Sequence, residues 1–563
     1  MDPPVCSGYV LVTDHPLGLL REVLKFGGVK VDRTKKLIAV AGAAAVVAAL
    51  GACGSKNTPA AGSATGNYIL GTTDTQVTSL DPAGAYDLPS WTIQYNIYQQ
   101  LVTYQPNSTK PTPYAAKSCD YTDPQTVKCV LNSGIKYSNG DPMVASDVTY
   151  SFKRSIVIND SSAASSLLAD LSDGDPKKPD LAKGAIETPD DTTVIFHLNA
   201  PDTTFIQALT TPAASIIDPK VYPADKLLAD DQSIGSGPYQ LSQFQPGQQA
   251  VLTANPDYSG PNAPKAAQVT VQYFNSDTAL TTAIGSGQVD VAWRTFSPTE
   301  LNSLKSNSKV DVLNGKGAEF RYWVFRTQSG PGKSVAVRQA AAQIIDRDAI
   351  AQKAYDGTVN PGYSTVPPGF LGANEAFKAK YGSPDVAKAK QILSQAGVST
   401  PVAIKLGYTP SHYGPNAVDE ANEFAQELTK SGLFKVSIDD AEFTQYQDLY
   451  KQGAYDLFQL GWFPDYLDPD DYISPFLHDG GFFANGYSSK PMDKLIAQER
   501  AETNASTRAK QIGKIQDLTA QDAPMIPSWF GQNNAVAIKG MTGVADTLDQ
   551  AYIFRMWLPS KSN

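Results

Sequence analysis

Histidine and cysteine each occur only four times in 563 residues, and that scarcity narrows the chemistry. A metal centre needs His, Cys or carboxylates at ligand spacing. His197, His412 and His478 are scattered along the chain, and the fourth histidine lies within the first thirty residues. No Gly-x-Ser-x-Gly elbow occurs to hold a nucleophilic serine. Gly332-Lys333-Ser334 ends like a phosphate loop, but the glycine that loop requires five positions earlier is Thr327. Ser306-Asn307-Ser308-Lys309 has the Ser-x-x-Lys spacing of penicillin-binding enzymes, with no Lys-Thr-Gly box after it. A secreted hydrolase is therefore a remote alternative, and no enzyme activity, metal or cofactor is expected. Positive charge is also short: 46 Lys and Arg stand against 56 Asp and Glu. The residues ahead of Cys53 are more basic than acidic, so the acid excess on the rest is larger still. Nucleic acid, which needs a basic face, is excluded as a partner. No heptad run or internal repeat appears, and no apolar run reaches the roughly twenty residues of a membrane span.

The longest apolar run, residues 37–50, follows Arg33, Lys35 and Lys36 and ends in Leu50-Gly51-Ala52-Cys53. A basic start, a short apolar core and small residues before a cut site make a secretory signal. The ending resembles a bacterial lipobox, with Gly51 as its departure from the usual pattern. Cys53 is then the expected lipid-bearing residue, and a two-chain lipid there anchors the protein stably. Residues 53–67, rich in Gly, Ser, Ala, Asn and Thr, read as a flexible tether. Some thirty residues precede the basic segment and fit no signal. Translation is expected to begin at Val31, read from a GTG codon, or at Val29, with Gly27-Gly28 as the in-frame trace of a ribosome-binding sequence. Export also frames the cysteines. Cys119 and Cys129 flank the turn-rich Asp120-Tyr121-Thr122-Asp123-Pro124, and in an oxidising compartment they are expected to form a disulfide, with two free thiols as the alternative.

Strand-like alternation marks residues 68–72, 126–131, 193–198 and 249–252. Helical patterns cover 145–156, 278–285, 335–355, 384–396, 418–431 and 505–520, with Ser146 and Pro384 at expected helix starts. Mixed elements in this order indicate α/β lobes.

Six segments, in order, resemble the bacterial extracellular solute-binding proteins of family 5, the dipeptide- and oligopeptide-binding lipoproteins of ABC importers. They are Ser79-Leu80-Asp81-Pro82-Ala83; Gly134-Ile135-Lys136-Tyr137-Ser138-Asn139-Gly140-Asp141-Pro142 with Ala145, Asp147-Val148 and Tyr150-Ser151-Phe152; Gly235-Ser236-Gly237-Pro238-Tyr239; Gly287-Gln288-Val289-Asp290; Val337-Arg338-Gln339-Ala340 with Ile345-Asp346-Arg347; and Gln521-Asp522-Ala523-Pro524-Met525-Ile526-Pro527. We read the second segment as scaffold, and the Gly235 segment as a close turn where the chain crosses between lobes. The resemblance implies a two-lobed periplasmic-binding-protein-like fold of class II, large cluster, closing on its ligand by hinge motion. Lobe I would comprise residues 68–100, 220–316 and 529–563, an extra domain 101–219, and lobe II 317–528, with a monomer working beside permease and ATPase subunits at the extracytoplasmic face.

The site is expected in Gly461-Trp462-Phe463-Pro464-Asp465-Tyr466-Leu467-Asp468-Pro469-Asp470. In peptide-binding members a Trp lines the pocket and an Asp three residues later pairs with the peptide α-ammonium group, which places these roles on Trp462 and Asp465. A desolvated cation needs such a charge-assisted partner. Phe463 and Tyr466 are expected to line the same pocket, while Asp468, Asp470 and Asp471 read as turn carboxylates. For the ligand's far end, Arg294, Arg321 and Arg326 are candidates, since an Arg fork grips both oxygens of a carboxylate. Trp323, beside two of them, is a candidate aromatic platform that leaves an oligosaccharide open. Nickel and a metal chelate are the other solutes the family permits.

Overall fold

The computed structural model describes residues 66–562 apart from 295 and 411. The signal, Cys53, nearly all of the tether and the starts at Val29 and Val31 lie outside the described residues. Among those described, no helix is long and apolar enough to cross a membrane.

Two α/β lobes share one eleven-stranded sheet. Its spine is a pair of long antiparallel strands, Val310–Phe325 and Met525–Ile538, paired from Val310↔Ile538 to Val324↔Met525 with a register shift between Lys316 and Phe320. On one side of that shift, Leu457–Trp462 pairs with the Phe320–Phe325 half, followed by Val402–Tyr408 and Phe434–Asp440. On the other, Val291–Trp293 pairs with Ala535–Ala537, followed by Tyr68–Thr72, Gln268–Tyr273, Gln249–Ala254 and Tyr239–Gln245. Parallel neighbours need covered faces. Helix Ala417–Lys430 supplies such a cover, burying Ala421, Phe424 and Leu428 at helical spacing.

The expected strands at 68–72 and 126–131 are present with those bounds. The 335–355 pattern is two helices, Val335–Ile344 and Arg347–Lys353. Ile345 turns to extended backbone, and Asp346 caps the second helix by accepting from the Ala349 N–H. Pro384 is not in the first turn of its helix: Asp385 caps Val386–Gln395, and Pro384 precedes the cap. Ser146 is not a cap; Val144 holds that place, and the Asp147 carboxylate accepts its N–H.

A separate four-stranded sheet, Ala116–Asp123, Thr126–Leu131, Thr193–His197 and Ile186–Glu187, packs under helix Ala145–Ile158 around Val127, Phe152 and Phe196. Cys119 and Cys129 stand opposite each other in its first pair and are joined as a disulfide.

The family-like segments interlock in pairs. Arg154, two residues past Phe152, forms a bidentate ion pair with Asp81 at 2.8 and 2.6 Å, both side chains essentially sealed from water. Arg338 donates to the Asp522 carbonyl, and Arg347 to the Pro527 carbonyl. The Gly235 segment departs from expectation. It does not cross between lobes but lies against the end of helix Leu88–Ile97, where a Cβ at Gly235 would sit 2.0 Å from the Ile97 carbonyl oxygen. Only glycine permits that approach.

Candidate functional site

Strand Leu457–Trp462 ends at the expected loop, and its acidic residues divide into two kinds. Asp468 opens the turn Pro469–Tyr472 and is locked by Arg508 at 2.6 and 2.7 Å. Asp470 accepts from Arg500 at 3.4 Å, and Arg500 also reaches Asp202 at 2.8 Å. Asp471 braces the loop from inside, its Oδ2 accepting from the Trp462 indole at 3.0 Å and the Asp465 N–H at 3.1 Å. These three are structural carboxylates.

Asp465 differs from them. Its Oδ2 accepts a 2.6 Å hydrogen bond from the Tyr86 hydroxyl, 379 residues away, and none of the described Lys or Arg residues makes an ion pair with it. Burial pushes its carboxyl up to about 7, against the stabilising Tyr86 bond. Asp471 is raised as well, first by burial and then by the charge of Asp465, so the two titrate as a unit. Tyr86 keeps 41% of its surface open although protein surrounds it, and its hydroxyl is held well above its ordinary range, chiefly by desolvation. Accessible yet desolvated groups are what a cleft between lobes produces.

Phe463, two residues before Asp465, turns into an adjoining pocket of about 180 Å³. Its ring meets Tyr552 edge-on at 5.1 Å and carries the Arg294 guanidinium at 4.7 Å. Arg294 adopts a left-handed φ of 65° and pairs with Asp74 at 3.2 Å. Across the pocket, Arg321 pairs with Glu319 at 2.5 Å and lies over the rings of Tyr413 at 4.2 Å and Trp529 at 5.2 Å. Gly461 makes room for it, because a Cβ there would fall 1.5 Å from Arg321 Nη1. His412 also lines the pocket, stacked on Phe443; burial and then Arg321 push it down to about 4, so it is neutral at pH 7.

A family model for the bacterial extracellular solute-binding proteins, family 5 middle region, matches residues 110–484. The chain belongs to that family. Among its relatives are the periplasmic oligopeptide-binding protein of Salmonella typhimurium, 24% identical over 93% of this chain and 99% of that one, and heme-binding protein A of Haemophilus influenzae, 25% identical over 77% and 81%. The periplasmic binding protein of Helicobacter pylori solved with the peptide STSA has a TM-score of 0.74 at 21% identity, covering 89% of this chain and 98% of that one.

For this family member, three expected site residues are corrected by their surroundings. Trp323 is sealed in the core, its ring 4.6 Å from Phe424 and its indole N–H donated to Glu420. Arg326 points to the other side of its strand, where it donates to the Tyr450 carbonyl at the end of helix Phe443–Gln452, a common use of arginine at helix C-termini. Tyr466 sits among Asp470, Asp471, Asp202 and Arg500, on the ion-pair side of the loop. Of the expected residues, the structure brings Phe463, Arg294 and Arg321 together in the lining of this pocket, whereas Trp462 and Asp465 stand beside it in the same loop, joined through Asp471. Sequence reasoning missed Tyr86, Glu319, Tyr355, Tyr413, Trp529 and Tyr552. Only Trp529 carried a signal, following the sixth family segment by two residues.

Proposed function

We propose that this chain is the lipid-anchored solute-binding component of an ABC importer. In this reading it captures short peptides between its lobes and hands them to the permease. The lobes divide at residues 317 and 528, with 101–219 decorating lobe I, and lipid on Cys53 holds a monomer at the extracytoplasmic face of the membrane. Binding is its whole task, and ATP hydrolysis belongs to partner subunits. The observation that carries the reading is Asp465, a desolvated carboxylate faced by a neutral hydroxyl from the opposite lobe. Desolvation penalises such a charge until a cation arrives, and the α-ammonium of a peptide is such a cation. Relatives and fold neighbours that bind peptides favour the same ligand. A pocket of about 180 Å³ is smaller than the roughly 300 Å³ at which drug-sized cavities begin; that suits one peptide side chain better than a haem, the ligand named for one relative.

The test compares tri-alanine with N-acetyl-tri-alanine by calorimetric titration. Acetylation removes the cation and leaves the rest of the peptide. It should weaken binding by roughly 2–5 kcal/mol, the cost of leaving a buried charge without its partner. Equal affinities would overturn the ammonium–Asp465 reading, and binding of a neutral oligosaccharide in place of both peptides would establish the rival solute.

A further inference from the structure

Behind the pocket, a carboxylate that never reaches it accounts for the placement of one wall. Glu420 is fully buried in the first turn of helix Ala417–Lys430. Its Oε1 accepts from the Trp323 indole at 3.0 Å and the Ser528 hydroxyl at 2.7 Å; its Oε2 accepts from the Tyr355 hydroxyl at 2.7 Å and the Trp529 indole at 2.8 Å. A carboxylate offers about four acceptor sites, so this one is saturated, and by neutral donors alone.

The convergence depends on a local irregularity. Adjacent residues of a regular strand point to opposite faces, so Ser528 and Trp529 could not both reach Glu420. The register passes from Arg321↔Trp529 to Tyr322↔Pro527, leaving Ser528 as an extra residue, and such bulges re-aim side chains. Trp529 and Tyr355 both line the pocket, with their rings 4.8 Å apart at 60°. Each is thus held at its polar tip by Glu420 while its apolar body faces the cavity. The Arg321 guanidinium rests on the Trp529 ring, so its place depends on the same anchor.

We infer that Glu420 is a positioning residue for ligand selectivity, fixing the Trp529–Tyr355 wall of the pocket without touching the ligand. This rests on the pocket belonging to the peptide site proposed above. Glu420→Gln keeps the volume but offers one carbonyl and one NH₂ group. It can accept from only some of the four donors and presents a donor of its own to the rest.

The experiment uses the full chain and two tripeptide series, Ala-X-Ala and Ala-Ala-X, with X as Gly, Leu, Phe, Glu or Lys. Glu420→Gln should compress the affinity ratio between best- and worst-bound X by about tenfold or more, the scale of one charge-assisted hydrogen bond. Phe424→Leu is the control. Phe424 packs on Trp323 from the same helix but gives Glu420 no hydrogen bond, so this variant should lower Tm and leave the ranking intact. A Glu420→Gln protein with lowered Tm and wild-type ranking would overturn the inference. Should that variant not fold, Tyr355→Phe removes a single donor and keeps the ring; an unchanged ranking there would overturn it equally. If the wild type binds none of these peptides, the peptide reading is what fails. The Trp529 indole N–H resonance then decides on positioning: it should leave its hydrogen-bonded position in Glu420→Gln and not in Phe424→Leu, and an unmoved signal in Glu420→Gln sinks the idea.

Discussion

Binding of a peptide should expel a proton, and Asp465 sets both the sign and the size of the effect. Burial holds its carboxyl at about 7 in the ligand-free protein, and an arriving ammonium lowers that value because the opposite charge favours the ionised form. A group whose pKa falls on binding contributes affinity that is fully present above its free-state value. That contribution is lost as pH drops below it, by tenfold per pH unit for one proton. Half of the carboxyl is already protonated at pH 7, so tri-alanine affinity should fall by about 50-fold between pH 7 and pH 5, unless the bound-state value is reached first. Above about 8 the peptide's own amine deprotonates, so the profile has two limbs. Asp465→Asn removes the acid limb as well as the charge, leaving a weak affinity that is flat from pH 5 to 7. Calorimetry in buffers of different ionisation enthalpy reads the proton directly. Near pH 6 the wild type should release close to one proton per peptide and Asp465→Asn almost none. Flat wild-type affinity without proton release would refute the assignment. An acid limb that survives in Asp465→Asn would move the titrating group to Asp471, whose carboxylate touches the Asp465 N–H.

Two further predictions concern the scaffold. Arg154→Met leaves Asp81 buried and uncompensated, because both side chains are almost wholly sealed; urea unfolding should show a loss of about 3–5 kcal/mol, and a change under 1 kcal/mol would mean the pair does not carry the junction of those two segments. Replacing Cys119 and Cys129 with serine opens a link spanning ten residues, for which chain entropy predicts a loss of about 3 kcal/mol. Equal urea midpoints for the variant and the oxidised protein would show that strand pairing alone already closes that hairpin.

How much of the site was legible from sequence follows from what periodicity encodes. The strands at 68–72 and 126–131 could be read because alternation is local, and the break at Asp346 could have been, since Asp is a favoured cap. Parity along a strand also says which face a residue takes. Arg321 and Arg326 differ by an odd number, so one of them had to leave the cleft face, and Arg326 does. Parity could not have removed Trp323. It shares a face with Arg321, and it is buried because helix Ala417–Lys430 lies over that part of the strand and stops short of Arg321. What covers a face is decided by chain returning from about a hundred residues away, and no spacing within the strand records it. The same limit hid Tyr86, which meets Asp465 across 379 residues of intervening chain. It hid the bulge at Ser528 too, since a bulge is a property of two strands in register rather than of either sequence. The interlocking scaffold segments were therefore the readable part of this molecule, whereas the groups proposed to select its ligand are defined by contacts between segments that carry no mark of one another.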